Sequence, residues 1–177
     1  MKAKFIRSSI AATFLVGLMS ATPALAENTT EVHFKGEIVE SACGISPDSI
    51  DQTIQLGQYP THIFKAQGDR STPVPFRIKL IDCDTSVLKK ANFIFTSNQD
   101  TTGKLFSVEG GATGLGVRIL HDGVPIDNGA VAVSSTLVDG TNIATFSAAY
   151  EANVDVSTTP VTAGPAESWA LLRVTYQ

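Results

Sequence analysis

The side chains that could carry chemistry in this sequence are few and widely spaced. The chain has two cysteines, Cys43 and Cys83, and three histidines, His33, His62 and His121. None of them stand at the close pair spacings that zinc sites use, so we expect no metal site. Two thiols then either pair or stay free, and the compartment in which the protein folds decides between these states.

Motifs of the common enzyme classes are absent from the sequence. It contains no G-x-S-x-G elbow, no H-E-x-x-H helix and no P-loop. Residues 110–116 are glycine-rich, but they include no basic residue and precede a strand pattern, which favours a flexible loop over a phosphate cradle. Asp82 and Asp84 flank Cys83, and we interpret them as solvent-facing or turn-forming. The sequence therefore predicts a protein that is not an enzyme and that needs no cofactor.

The first 26 residues have the order of a secretory signal peptide. Basic residues precede an apolar run at 10–19, and a small-x-small pattern ends at Ala26. The apolar run is about ten residues long, whereas a membrane anchor needs roughly twenty. We expect cleavage after Ala26 and export of the mature chain.

The mature chain, residues 27–177, is acidic, since it carries 10 of the 13 Lys and Arg residues and all 17 Asp and Glu residues. A chain of this charge lacks the basic footprint that nucleic-acid binding needs, and no other stretch of it is long enough to cross a bilayer. An exported chain passes through an oxidising compartment, so we expect Cys43 and Cys83 to form a disulfide bond. In the chain-entropy model this bond stabilises the fold by roughly 4 kcal/mol.

The elements that must position these residues are β-strands. Apolar and polar residues alternate with a period of two in most of the mature chain, which indicates strands with one buried face. The best helical candidate, 61–67, spans barely two turns, too little for the crossovers of a parallel sheet. The pattern predicts an antiparallel sandwich. After a strand-patterned segment at 30–38, the expected strands lie at 52–56, 74–81, 91–96, 104–108, 116–121, 130–134, 143–151 and 169–176.

Cys83 does not fit the alternation of its own strand. Phe76, Ile78 and Leu80 share one parity, and Cys83 has the other. We therefore expect a bulge or twist near Asp82 that turns Cys83 inward.

Both ends of the mature chain have strand patterns whose partners the composition does not identify. Residues 27–40 precede the first cysteine, and the last eight residues form a strongly apolar strand. These segments could pair with each other, with the rest of the sandwich or with another molecule.

Several motifs resemble the major structural subunit of type 1 fimbriae. They are VHFKGEIVESAC at 32–43, DQTIQLGQ at 51–58 and LIDCD at 80–84. The resemblance covers the whole mature chain, including the two-cysteine spacing. Gly164, fourteenth from the end, and the penultimate Tyr176 look like the chaperone-recognition motif of pilins assembled by the chaperone/usher route.

The resemblance implies an all-β fold, an incomplete immunoglobulin-like β-sandwich that a donated strand completes. It implies a signal peptide at 1–26, an N-terminal donor-strand extension at 27–40 and a pilin domain at 41–177. A periplasmic chaperone would fill the groove first and deliver the subunit to an outer-membrane usher. The extension of a neighbouring identical or related pilin would then replace the chaperone in a fimbria at the cell surface that supports adhesion.

The motif can be transferred to individual residues of this sequence. The donor strand would present one face to the neighbour, with Gly36 at a pocket that accepts only a small residue; this face comprises Thr30, Val32, Phe34, Gly36 and Ile38. The chaperone and acceptor groove would be lined by one parity of the C-terminal strand together with the motif glycine, namely Gly164, Ala170, Leu172, Val174 and Tyr176. Trp169 and Leu171 take the opposite parity of that strand.

Three alternatives stay open from the sequence. Residues 27–40 could be an ordinary first strand of their own domain. The chain could be a minor adaptor subunit of the same fold, or a self-complemented secreted immunoglobulin-like binding domain. A tip adhesin is less compatible, because 151 mature residues leave no room for a separate lectin domain.

Overall fold

A computed structural model describes residues 29–177. The expected signal peptide and its cleavage after Ala26 lie outside the described residues. The chain divides into two compact units, Met1–Glu37 and Ile38–Gln177, and all described strands belong to the second. Within the described residues, no helix is long and apolar enough to cross a membrane.

The regular secondary structure of the second unit consists almost entirely of β-strands. Two short 3-10 helices, Pro47–Ser49 and Thr61–Ile63, accompany them, so the helical candidate at 61–67 forms only a single turn. The strands are β1 Gly44–Ile45, β2 Val74–Cys83, β3 Lys90–Thr96, β4 Phe106–Ser107, β5 Glu109–Gly110, β6 Leu115–His121, β7 Val124–Ile126, β8 Val131–Thr136, β9 Gly140–Ala152, β10 Ala166–Glu167 and β11 Leu171–Tyr176.

The described strands form three sheets in which all pairs are antiparallel. The largest has the order β1-β2-β9-β6-β4, with β7 also paired to β6. A second sheet has the order β11-β3-β8, and β10 pairs with β5. The alternation of β2, β3 and β9 turns one side of each strand inward, which confirms the antiparallel arrangement expected from the sequence.

Aromatic side chains join the two larger sheets in the core. Phe146 on β9 contacts Phe93 and Phe95 on β3, with ring centroids 5.6 and 5.0 Å apart. Ile78 and Leu80 on β2 are buried in the same cluster. Packing between the inner faces therefore stabilises the sandwich.

Cys43 and Cys83 form a disulfide bond, as the sequence predicted. The register between β2 and β9 shifts between Leu80 and Cys83. Asp82 lies in this irregularity with a φ of 53°, in the left-handed region that few non-glycine residues adopt. The shift brings Cys83 into the core despite its parity, which confirms the expected bulge or twist near Asp82.

The outer edge of β2 is covered by residues 44–52 of the same chain. β1 provides the first part of this cover by regular pairing. Beyond β1, side chains replace main-chain partners: the amide of Lys79 donates to Ser49 Oγ at 2.9 Å, and Gln52 Nε2 donates to the carbonyl of Arg77 at 2.9 Å. Part of the edge of β2 is thus covered without a long strand.

The strand predicted at 52–56 was wrong. Asp51 and Gly57 bracket it with φ values of 53° and 91°, and neither is compatible with an extended strand. The strand expected at 104–108 is reduced to β4. The short strands β1, β5, β7 and β10 were not predicted, because two or three residues carry no measurable periodicity.

A buried ion-pair cluster connects β6, β9 and the segment before β2. Arg118 donates to both carboxylate oxygens of Glu151, at 3.0 and 2.9 Å, and to Asp127 at 2.8 Å. Arg70 donates to the same Glu151 carboxylate. Burial alone would raise the pKa of Glu151, but the hydrogen bonds and charges of the two arginines outweigh it and hold that pKa below its ordinary value.

Candidate functional site

The candidate site is the open edge of β11. Among the described strands, β11 pairs only with β3, and the register places Tyr176 opposite Ala91. One step further, Gln177 and Lys90 exchange both main-chain hydrogen bonds, at 3.0 and 2.8 Å. Mutually bonded pairs alternate along an antiparallel ladder. The main-chain groups of Arg173 and Thr175 therefore bond to β3, and those of the residues between them point away from it.

Leu172, Val174 and Tyr176 thus present N–H and C=O groups along this edge that have no ladder partner within residues 29–177. Their side chains point toward the sandwich interior, where all three pack half-buried against the main core. The phenol of Tyr176 donates to the carbonyl of Cys43 at 3.3 Å, and burial raises the pKa of this phenol. The same three residues therefore combine free main-chain groups with incompletely covered apolar side chains, as in a sheet that lacks its next strand.

The other predicted groove residues lie elsewhere. Ala170 is exposed and precedes β11. Gly164 lies before β10, and its backbone packs against the backbone of Gly111. Trp169 and Leu171 have the opposite parity and are mostly exposed, with 64% of Leu171 accessible. The structure thus brings three of the five predicted groove residues together on β11.

The predicted donor segment forms no strand of its own. Residues 29–40 belong to no helix or strand and have no ladder partners among the described residues. Phe34 and Ile38 are 92% and 100% exposed, and a Cβ added to Gly36 would meet nothing within 4 Å. The chain therefore contains a strand-patterned segment in which the apolar parity remains in solvent.

The remaining residues considered for chemistry have structural roles or no partners that suggest catalysis. His121 Nδ1 lies 2.9 Å from the carbonyl of Thr145, and His62 lies in the second 3-10 helix. Among residues 29–177, no group of three or more His, Cys, Asp or Glu side chains is placed to hold a metal ion. Sequence reasoning missed the amides of Lys89 and Lys90, which both donate to the main-chain oxygen of Gln177, because backbone groups leave no signal in residue types.

Comparison with known proteins agrees with this geometry. A sequence model described as fimbrial protein matches residues 32–177. The chain is 39% identical to the type-1 fimbrial protein C chain of Escherichia coli over the full length of both chains. It is also 39% identical to the fimbrial subunit type 1 of Klebsiella pneumoniae, over 90% of this chain and 92% of that one.

Solved structures show the same fold. A subunit from a chaperone-usher pilus matches with a TM-score of 0.73 and 26% identity, over 88% of this chain and all of that one. The P pilus rod subunit PapA matches with a TM-score of 0.68 and 26% identity, over 77% of this chain and all of PapA.

The nearly all-β architecture, its open β11 edge and these likenesses correspond to the incomplete immunoglobulin-like fold of pilins. The protein is a structural subunit of surface fimbriae and not an enzyme. Its full-length relatives and the match over residues 32–177 lead to one conclusion: the chain belongs to the fimbrial protein family.

Proposed function

We propose that subunits of this protein join into a pilus rod by strand exchange, in which residues 27–40 of one subunit add to the β11 edge of the next. One observation carries the proposal. The chain holds both an edge with unpaired groups at Leu172, Val174 and Tyr176 and a strand-patterned segment, 29–40, without ladder partners. The 29–40 segment can supply main-chain partners and apolar side chains, and the β11 edge can accept both.

The physical reason is the energetics of an open edge. Unpaired main-chain groups beside a partly exposed apolar core form a template for aggregation unless another strand covers them. Strand addition, known for complexes of pilins with their chaperones, pairs these groups and inserts alternate side chains into the acceptor. Phe34 and Ile38 are large apolar side chains with almost complete exposure, so their transfer into a groove is favourable.

The donor face in this proposal is formed by one parity of the extension. Phe34 and Ile38 provide bulk, and Gly36 between them fits where the acceptor core leaves no room for a side chain. Thr30 and Val32 extend the same face toward the N-terminus. Glu31, His33, Lys35 and Glu37 remain in solvent and keep the free extension soluble.

Before assembly the same edge needs a temporary partner. We infer that a periplasmic chaperone lends a strand to β11 and delivers the subunit to an outer-membrane usher, with Gly164 and Tyr176 marking the C-terminal region for recognition. The exposed edge of β11 supports this order of events, because a free edge is most hazardous in the period before the neighbouring subunit arrives.

A matched pair of substitutions tests the strand exchange. Gly36→Leu inserts a bulky side chain on the inward parity, where it must enter a close-packed acceptor core at a cost of about 1–3 kcal/mol or more. Lys35→Leu adds a similar side chain on the outward parity. We expect Gly36→Leu to abolish fibres seen by electron microscopy, while Lys35→Leu assembles normally.

The unassembled Gly36→Leu subunit should keep wild-type thermal stability, since nothing lies within 4 Å of a Cβ at this position. Fibres of normal length and number from Gly36→Leu would refute the assigned donor face. The number of copies in each fimbria then separates a rod subunit from a minor adaptor, because only a rod subunit is present along the whole filament.

A further inference from the structure

We propose that the crossing of residues 164–165 over residues 110–112 is a clamp that fixes the start of β11 and holds its open edge ready for an incoming strand. The second half of this statement rests on the proposed strand exchange. The first half concerns the subunit alone and is tested separately below. Gly164 thereby becomes a positioning residue that acts on the acceptor edge from outside the groove.

Main-chain hydrogen bonds connect the two crossing segments. β10, which lies just before β11, pairs with β5. The carbonyl of Pro165 accepts hydrogen bonds from the amides of Gly111, at 2.9 Å, and Ala112, at 3.0 Å. The chain is therefore fastened to the β5 region a few residues before the open edge begins.

The crossing is too close for a side chain at Gly164. A Cβ there would lie 2.5 Å from the amide nitrogen of Ala112 and 2.9 Å from Cα of Gly111. Both atoms belong to the main chain, so no rotamer change relieves the overlap. The requirement for glycine thus comes from the close approach of two backbones.

Two side chains reinforce the clamp, one at the first residue of β10 and one just after it. Tyr150 Oη donates to the carbonyl of Ala166 at 2.6 Å, and Ser168 Oγ donates to the carbonyl of Ser107 at 2.7 Å. Burial raises the pKa of the Tyr150 phenol. The last of these bonds lies three residues before Leu171, where β11 begins.

A clamp at this place matters because β11 has one ladder neighbour. A strand at a sheet edge opens locally at a lower free energy than a central strand. The far end of β11 is fastened by the amides of Lys89 and Lys90, which bond to Gln177. With both ends held, β11 stays extended. An incoming strand therefore binds an edge that is already ordered, and the binding free energy does not include the entropy cost of ordering it.

Hydrogen exchange of the monomeric mature chain tests the clamp. Gly164→Ala should speed exchange at the β3-bonded amides of Leu171 and Arg173 by about tenfold, the effect of losing one or two hydrogen bonds. Gly44→Ala is the control, because its Cβ would make an ordinary contact, 3.6 Å from Ile81 Cγ1. Unchanged exchange in Gly164→Ala would overturn the proposal.

A second pair of variants covers the case in which Gly164→Ala does not fold. Tyr150→Phe and Ser168→Ala each delete one hydrogen bond of the clamp and keep the crossing. Each should raise exchange at Leu171 by about threefold to tenfold. Wild-type exchange in both variants would equally overturn the proposal.

A synthetic peptide of residues 29–40 tests the link to strand capture. In the wild-type chain it should protect the amides of Leu172, Val174 and Tyr176, and Gly164→Ala, or Tyr150→Phe in its place, should slow its association by about tenfold. If the peptide protects none of these amides in the wild-type chain, the proposed strand exchange is refuted. The hydrogen-exchange rates measured without peptide still test the clamp. If the peptide binds both chains at equal rates, the clamp does not prepare the edge.

Discussion

The edges of β2 and β11 show two ways of ending a sheet in one molecule. Residues 44–52 cover the edge of β2, and where regular pairing stops, Ser49 and Gln52 provide side-chain partners. Among residues 29–177 the edge of β11 receives no such cover, and its inward side chains are Leu172, Val174 and Tyr176. The domain can therefore cover part of an edge with its own chain, whereas β11 has no ladder partner on its outer side among residues 29–177.

The largest effect is expected from opening the covered edge. The disulfide joins Cys43, just before β1, to Cys83 at the end of β2, so it fastens the covering segment. Cys43→Ser should lower the free energy of unfolding by roughly 4 kcal/mol in the chain-entropy model, measured by urea denaturation. In cells this loss should reduce fibre yield before chaperone capture. Cys43→Ser with wild-type stability, or two free thiols in periplasmic protein, would contradict it.

The next effect concerns the bare edge. Deletion of Tyr176 and Gln177 removes the bonds to Lys89 and Lys90 and an aromatic contact worth roughly 1.5–3 kcal/mol when buried. The truncated subunit should be degraded or aggregate in the periplasm and lose chaperone binding in a pull-down.

Tyr176→Ala is the matched milder variant, since it keeps the main-chain bonds of Gln177. It should retain part of the chaperone binding. Equal pull-down of truncated and full-length chains would show that β11 acts as an ordinary internal strand, and the strand-exchange proposal would fail with it.

The contrast between the two edges also explains how far the sequence could be read. Strand patterns predicted β2, β3, β6, β8, β9 and β11, each of which spans at least six residues. The prediction failed at 52–56, where apolar residues alternate but left-handed Asp51 and Gly57 flank the segment and no strand of the described residues pairs with it. Alternation reports which side of a strand is buried and carries no information on its lateral hydrogen bonds.

For the candidate site, the parity of Leu172, Val174 and Tyr176 could be predicted, and the structure places them together on the edge. Ala170 could not be excluded by parity, because nothing in the sequence marks Leu171 as the start of β11. The position of Gly164 depends on a contact with Gly111, which is distant in sequence, and a single glycine gives no sign of its partner.

Acid should act on the ion-pair cluster at β9 and not on the apolar side chains of the β11 edge. Glu151 is held by Arg118 and Arg70, and its pKa is lower than in the unfolded chain. The stability it contributes is present above the unfolded pKa of about 4.3 and is lost as the pH falls through the folded value. Leu172 and Val174 on the bare edge do not titrate.

We therefore expect the free energy of unfolding of the wild-type subunit to decrease as the pH drops below about 4. In Glu151→Gln, which is less stable at neutral pH, this decrease should be less steep. Wild-type subunits that remain folded at acid pH should bind the 29–40 peptide through the inward face of β11 with the same affinity as at neutral pH. An identical pH slope in Glu151→Gln would show that the ion-pair cluster does not set the acid response.

The smallest effect is expected from a single side chain on the covered edge. Ser49 Oγ accepts the amide of Lys79, so Ser49→Ala leaves one main-chain donor of β2 without its partner. The loss should be about 1 kcal/mol, since water can reach this half-buried amide. Asp48→Ala, one residue earlier and exposed, is the control and should be neutral. The contrast between the edges would be contradicted if Ser49→Ala unfolded the domain or let the 29–40 peptide bind to β2. In that case both edges would need a partner from outside the domain, and only the disulfide would distinguish the edge of β2.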